Sequence, residues 1–114
     1  MLCIKKHIFS MLDFSTIIFD EIDSGVSGEI GRKMGHILRQ ISSRGQIICV
    51  THLPQIASLG DVQYKVLKKD IGDTLTTSVV QLNGDDRVME LARMLSGDQV
   101  NKEAIANAKK MLDI

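Results

Sequence analysis

TIIFDEID, residues 16–23, is a continuous apolar run that ends abruptly in carboxylates. Short apolar runs rich in β-branched residues are typical of strands in a parallel sheet that helices cover on both faces. Asp20 and Glu21 follow the run directly, and Asp23 is close behind. The stretch therefore predicts a core strand with adjacent acidic side chains at its carboxyl end.

A second apolar run, QIICVT at residues 46–51, predicts another strand of the same kind. The Gly- and Ser-rich turn DSGVSG at residues 23–28 separates the first strand from a predicted helix over residues 29–42. A strand, a helix and a strand within this length predict a right-handed crossover between parallel strands. The predicted apolar face of the helix consists of Ile30, Met34, Ile37, Leu38 and Ile41.

The rest of the chain predicts a hairpin and more helices. Residues 52–60 predict a loop and a short helix, and two β-rich segments at residues 62–69 and 74–82 predict an antiparallel hairpin. Two helices follow, the second capped by Asn101. The first is predicted to bury Val88, Leu91, Ala92 and Leu95. The predicted fold class is α/β, with parallel strands, flanking helices, a β-hairpin and two C-terminal helices.

The composition limits the class of protein. With 114 residues, 44% of them hydrophobic and 25% charged, the chain fits one globular domain. Lys and Arg together number 14, as do Asp and Glu, which excludes a basic field over the whole molecule for nucleic acid. No apolar stretch approaches the roughly 20 residues of a membrane span. Residues 1–12 predict an amphipathic helix without a preceding cap, which favours an internal position for Met1 in a longer chain.

Reactive side chains follow both predicted parallel strands. Asp20 and Glu21 follow the first strand, and Thr51 and His52 follow the second. Ligands of open α/β sheets bind outside the carboxyl ends of the strands. In phosphoryl transfer, one carboxylate holds Mg²⁺ near the nucleotide phosphates while another group orients the attacking water. On FDE alone, acids that are merely solvated or cap the next turn are the more common interpretation. The TH after the second apolar strand favours a phosphoryl-transfer site, because both groups fall on the same sheet edge.

Three separated motifs together resemble one protein family. TIIFDEIDSGVSG at residues 16–28, QIICVTHLPQIASLGD at 46–61 and RVMELARMLSG at 87–97 are similar to the C-terminal part of RecN. The RecN family comprises bacterial DNA repair ATPases of the SMC-like branch of the ABC superfamily. The resemblance covers residues 16–112, and residues 1–9 fit the helix after the family's signature motif. It implies a partial ABC/SMC-type P-loop NTPase head, with residues 1–114 as its C-terminal lobe.

The resemblance also implies a role for each candidate site residue, with ATP and Mg²⁺ as cofactors of the complete head. Asp20 would be the Walker-B magnesium ligand and Glu21 the catalytic carboxylate. His52 would be the switch histidine that contacts the γ-phosphate. Two interpretations of Gln55 stay open: it lies near the nucleotide, or it makes a structural hydrogen bond within its loop.

The D-loop, which in an ATP-bound dimer of this family crosses to the partner head, would consist of Gly25, Val26 and Ser27. Many ABC proteins carry Asp where Ser27 stands, which leaves a role for the Ser27 side chain open. The implied partners are the N-terminal part of the same head, a second head in an ATP-dependent dimer, and DNA through the complete protein. The implied location is the cytoplasm, in association with the nucleoid and without membrane contact.

The sequence contains no G-x-x-x-x-G-K-[ST] phosphate loop, no SGGE signature and no long heptad region. We therefore expect the chain to support ATP binding and hydrolysis in the complete head and to be inactive alone. One alternative is a non-catalytic dimerisation or binding module with a degenerate ATPase fold. Another is a different SMC/ABC-type ATPase, over which THLPQIA and ELARMLSG favour RecN.

Overall fold

A computed structural model describes residues 15–21 and 25–114. The predicted helix over residues 1–12 and the acid Asp23 lie outside these residues. Among the described helices, none is long and apolar enough to cross a membrane. The elements are β1 (Thr16–Asp20), α1 (Gly28–Ile41), a 3-10 turn (Ser42–Arg44), β2 (Gln46–Val50), the short α2 (Pro54–Ala57), β3 (Gln63–Ile71), β4 (Thr74–Leu82), α3 (Asp85–Ser96) and α4 (Lys102–Met111). This order confirms the predicted α/β class.

β1 and β2 form a parallel pair, as predicted from the strand, helix and strand pattern. Their register is direct, so that Asp20 at the end of β1 pairs with Val50 at the end of β2. The backbone ladder continues one residue further, because the amide of Glu21 donates to the carbonyl of Val50 at 3.0 Å. The two strands therefore end at the same edge of the sheet, with their polar successors side by side.

One face of the β1–β2 pair is covered and the other is open. On the covered face, Phe19 is buried with Leu38 of α1 and Ile56 of α2. Successive strand residues point to opposite faces, and the side chains on the other face are 44–67% exposed, namely Ile18, Ile48 and Val50. Among the described residues, helices therefore cover only one face of this pair.

Glycine, rather than a complete row of apolar side chains, allows α1 to contact the segment that follows β2. Ile30 was predicted to be buried and is 53% exposed, whereas Gly31 and Gly35 are buried. A Cβ atom at Gly31 would lie 2.7 Å from Leu53 Cδ1, and one at Gly35 would lie 2.6 Å from Leu59 Cδ1. Both distances are too short for carbon atoms in contact. The close approach therefore requires residues without a side chain.

β3 and β4 form the predicted antiparallel hairpin, in which β4 has the expected bounds and β3 extends two residues further than expected. Asp70 and Ile71 belong to β3, and the connection consists only of Gly72 and Asp73. Gly72 has a φ of 63°, in the left-handed region that glycine adopts without steric penalty. A two-residue turn of this kind matches the twist of the flanking strands, which is why the pairing extends to Ile71.

α3 and α4 pack against each other in a second core. Its buried residues are Val88, Leu91, Ala92, Ala104 and Ala108. Leu95 was predicted on this face and is 36% exposed, so that prediction is wrong. The predicted cap of α4 is confirmed, since Asn101 Oδ1 accepts a hydrogen bond from the amide of Ala104 at 2.7 Å. The small alanine side chains of α4 leave room for the close approach of α3.

Candidate functional site

The two acidic residues at the end of β1 differ in position and in backbone conformation. Asp20 is the last residue of the strand and lies on the open face with Ile18. Glu21 is exposed and has a φ of 51°, in the left-handed region that residues with a side chain seldom adopt. Such a conformation costs about 1–3 kcal/mol and persists only where the surroundings impose it. At Glu21, the hydrogen bond from its amide to the β2 backbone helps to impose it.

The residues after β2 turn the chain sharply away from the sheet. The amide of Leu53 donates to Thr51 Oγ1 at 3.0 Å, which closes a tight turn around His52. The His52 side chain is exposed. The parallel register places Thr51, the residue after β2, beside Glu21. His52 follows Thr51 directly, so Asp20, Glu21 and His52 all lie at the same edge of the sheet.

The three candidate D-loop residues lie in the connection that leads into α1. Gly25 has a φ of 73°, and a Cβ atom there would meet no atom of the described residues within 4 Å. Val26 is half-buried and Ser27 is exposed. The carbonyl of Ser27 accepts a hydrogen bond from the amide of Gly31 at 2.8 Å, while its hydroxyl makes no cap hydrogen bond. These residues form a turn on the surface at the beginning of α1.

Gln55, in α2, packs against the beginning of α1. A Cβ atom at Gly28 would lie 3.0 Å from Gln55 Nε2. Gln55 Oε1 is buried and accepts no hydrogen bond from any residue that the structure describes. A buried oxygen without a partner costs about 1–3 kcal/mol. Gln55 therefore lies beside Gly28, the residue that follows the candidate D-loop.

Sequence reasoning missed an arginine that holds the segment after His52. Arg87 lies in α3, and its Nη2 donates to the carbonyl oxygens of Gly60 at 2.5 Å, Ser58 at 3.3 Å and Ala57 at 3.4 Å. Its Nε donates to Gln63 Oε1 at 3.2 Å. Burial lowers the pKa of the guanidinium, and the carboxylate of Asp61 partly opposes this shift.

A second arginine holds the same segment from the side of α1. Arg39 Nη1 donates to the carbonyl of Leu59 at 2.6 Å and lies 3.6 Å from Asp61 Oδ1. Both side chains of this ion pair are mostly exposed, so the pair itself contributes little to stability. In the sequence, the position of Arg87 one turn before the buried Leu91 was the one signal of such a role, and Arg39 gave none.

The donor chemistry at the sheet edge fits a magnesium ion that is shared with a phosphate ligand. Mg²⁺ is usually held by one or two carboxylates together with substrate phosphates and water, rather than by a cage of protein ligands. Asp20 and Glu21 offer exposed carboxylate oxygens of this kind. Residues 15–21 and 25–114 contain no group of three or more His, Cys, Asp or Glu side chains that could hold a metal by themselves.

Comparison with solved structures identifies the class of fold. The chain is similar to a structure of SMC ATPases, described for their ATP-driven dimerization and DNA-stimulated activation, with a TM-score of 0.62 and 18% sequence identity. The match covers 81% of this chain and 54% of that chain. The chain therefore has the fold of part of an SMC-type ATPase head.

Sequence comparison identifies the family within that class. Over 99 residues the chain is 44% identical to the DNA repair protein RecN of Haemophilus influenzae, a match that covers 87% of this chain and 18% of the relative. It is 35% identical over its whole length to RecN of Halalkalibacterium halodurans, covering 20% of that protein. RecN of Vibrio cholerae is 40% identical over 97% of the chain, covering 20% of that relative. No family model matches the chain.

The chain belongs to the RecN family, and it corresponds to the C-terminal part of these proteins. It spans about a fifth of the length of the curated relatives that it matches. This assignment confirms the resemblance that the three sequence motifs indicated.

Proposed function

We propose that this segment supplies the Walker-B carboxylates, the D-loop and the switch histidine for ATP binding and hydrolysis by a RecN-type ATPase head. The proposal rests chiefly on one observation, which is the left-handed backbone of Glu21 at a sheet edge shared with Asp20 and His52. Strained backbone of this kind clusters at active sites.

The two acids are suited to different atoms. Asp20 offers a carboxylate oxygen on the open face of β1 as the ligand of Mg²⁺. Glu21, turned by its backbone, offers a carboxylate that orients a water molecule and accepts its proton. When bound, MgATP supplies the phosphoryl group and partial neutralisation of the phosphate charge. The strand end thus separates the metal-binding carboxylate from the proton-accepting one.

His52 donates a hydrogen bond to the γ-phosphate in this proposal. Its exposed position at the sheet edge and the turn closed by the Thr51 hydroxyl support the role. Gln55 lies one turn further along, and its contact with Gly28 connects the nucleotide side of the segment to the D-loop. We assign Gln55 to the surroundings of the nucleotide on this basis.

Gly25, Val26 and Ser27 form the D-loop that faces a second head in an ATP-dependent dimer. The exposed positions of Gly25 and Ser27, and a Ser27 hydroxyl that makes no cap hydrogen bond to α1, support a surface that a partner head contacts. The D-loop also lies directly before α1, and α1 packs against the same face of the β1–β2 pair as α2, the short helix that follows His52. Both heads would therefore contribute to each site.

The open face of the β1–β2 pair supports the N-terminal part of the same head as a partner. Its exposed Ile18, Ile48 and Val50 form an apolar surface, and burying such surface is favourable by about 25 cal/mol per Å². Residues 1–114 would thus be the C-terminal lobe of a head completed by other parts of the protein. By analogy with the DNA repair proteins that the chain matches, we place DNA contact in the complete protein and its location at the nucleoid in the cytoplasm.

Asp20→Asn is expected to raise the Mg²⁺ concentration for half-maximal ATP hydrolysis roughly 10–100-fold in a complete RecN-type protein that carries this segment. Mutation of residues that only orient a metal's ligands through hydrogen bonds already lowers metal affinity by about this factor. Asp20 would be a ligand itself, and the neutral amide of Asn binds Mg²⁺ more weakly than a carboxylate does. Hydrolysis measured against Mg²⁺ concentration tests this expectation. The matched control is Asp73→Asn, in the exposed hairpin turn. Superimposable Mg²⁺ titrations for Asp20→Asn and the native protein would remove Asp20 from the metal site.

His52→Ala is expected to lower ATP turnover on the order of 10²–10³-fold, the usual loss for one hydrogen-bond donor to developing charge. ADP binding should change little, because the proposed contact is with the γ-phosphate alone. Phosphate release and an ADP titration measure the two quantities separately. His36→Ala, on an exposed position of α1, is the control. Equal losses in turnover and in ADP affinity would indicate damage to the loop and contradict the assigned contact.

A further inference from the structure

Arg87 lies on α3, outside the strand ends, yet its hydrogen bonds converge on the segment that carries His52. We call residues 52–60 the switch segment. The Arg87 Nη2 atom donates to three carbonyls near the end of this segment, those of Ala57, Ser58 and Gly60, while Nε donates to Gln63 at the start of β3. A guanidinium is suited to bind several neighbouring oxygen atoms, because it is planar and carries five N–H donors in fixed directions.

Hydrogen bonds within the switch segment connect its beginning to its end, so that fixing one end restricts the position of the other. The amide of Leu53 donates to Thr51 Oγ1 at 3.0 Å, and the carbonyl of Leu53 accepts from the amide of Ala57 at 3.0 Å. The amide of Ser58 donates to the carbonyl of Pro54 at 2.9 Å. These hydrogen bonds therefore restrict the backbone between His52 and the carbonyls that accept from Arg87.

The same short segment joins the two hydrophobic cores. Ile56 is buried with Phe19 and Leu38 beneath the parallel strands. The next residue, Ala57, packs against the core of α3 and α4. Arg87 adds hydrogen bonds from α3 to the carbonyl at the end of α2, that of Ala57, and to two carbonyls just beyond it, those of Ser58 and Gly60. The guanidinium is thus the polar part of the connection between α3 and the switch segment.

We propose that Arg87 is a positioning residue for His52, acting by fixing the end of the switch segment against α3 so that the imidazole is held at the sheet edge. This inference rests on the proposed function of His52. Arg87 acts through the carbonyls of residues 57–60 and has no contact with substrate in this scheme. Its effect on turnover should therefore exist only while His52 is present.

A double-mutant cycle in a complete RecN-type protein carrying this segment tests the inference. Arg87→Ala is expected to lower kcat at saturating MgATP about 10–100-fold, the loss that a displacement of about 1 Å can produce. In a His52→Ala background, the same change should lower kcat by less than about 3-fold, because residues that act as a unit are not additive. Equal fold losses in the two backgrounds would overturn the positioning role and leave Arg87 as a structural contact.

Two further variants keep the test decisive. Arg87→Lys retains the charge but has one nitrogen on a flexible chain, so we expect a folded protein with kcat between those of the native protein and Arg87→Ala. Native kcat in Arg87→Lys would overturn the inference even if Arg87→Ala does not fold. Arg93→Ala removes another arginine of the same helix, whose Nη1 lies 3.5 Å from Glu90 Oε2. This variant should keep native turnover. If Arg93→Ala loses as much as Arg87→Ala, general perturbation of α3 replaces the positioning role.

The cycle also separates failure of this inference from failure of the proposed function. Native turnover in His52→Ala alone would remove His52 from hydrolysis, and the positioning role of Arg87 with it. Impaired turnover in His52→Ala, combined with a full Arg87→Ala loss in both backgrounds, would overturn only the role of Arg87.

Discussion

Glu21→Gln should lower ATP turnover on the order of 10²–10⁴-fold in a complete RecN-type protein that carries this segment, the range typical of losing a catalytic base. ATP binding should be nearly retained, because Gln matches Glu in size and differs in being a very poor base. The left-handed backbone of Glu21 and its hydrogen bond to β2 do not depend on the side-chain charge. Steady-state phosphate release at saturating ATP and a separate ATP-binding titration measure the two effects.

Glu29→Gln is the matched control for this prediction. Glu29 is an exposed acid in the first turn of α1. Glu29→Gln removes the same negative charge as Glu21→Gln. Its replacement should leave turnover close to that of the native protein. If Glu21→Gln and Glu29→Gln behave alike, Glu21 is not the catalytic carboxylate and its strained backbone needs another explanation.

The isolated 114-residue chain is expected to show no ATP turnover and at most weak ATP binding. Most nucleotide affinity in P-loop ATPases comes from backbone amides and a lysine in the phosphate loop, and these residues contain no such motif. Asp20 and Glu21 add negative charge beside the site, which repels a triphosphate when no metal is bound. The exposed Ile18, Ile48 and Val50 should also make the isolated chain self-associate.

Calorimetric titration with MgATP and a phosphate-release assay on the purified chain test this expectation directly. Co-expression with the N-terminal part of a RecN-type head should restore turnover and give a complex of one stoichiometry. The same complex built with Glu21→Gln is the control, and it should assemble without turnover. Tight, saturable binding with turnover by the chain alone would contradict the view that it supplies only part of an active site.

Much of the fold follows from local sequence patterns. The apolar runs that became β1 and β2, the helical spacing of α1 and the turn residues of the hairpin each predicted the correct element. These patterns are local because side-chain period and backbone preference depend on neighbours along the chain. The meeting of the acids with His52 was also predictable, since the carboxyl ends of parallel strands meet at one edge.

Tertiary structure decided which side chains were buried and which residues hold the site together. Periodicity placed Ile30 and Leu95 on apolar faces, but both are exposed, because burial requires a second element opposite the residue. Conversely, Gly31 and Gly35 are buried because the segment after β2 approaches α1 too closely for a side chain. No local pattern encodes the distance between segments that are remote along the chain.

The positions of Glu21 and Arg87 show the same division. The sequence determined that an acid follows β1 and that an arginine begins the third motif. Only the folded chain gives Glu21 a φ of 51° and a hydrogen bond from its amide to the carbonyl of Val50. Likewise, only the folded chain brings three carbonyls of the switch segment to the guanidinium of Arg87. Backbone strain and convergent hydrogen bonds arise when several packed elements constrain one residue together, which is why a pattern read along a single segment does not contain them.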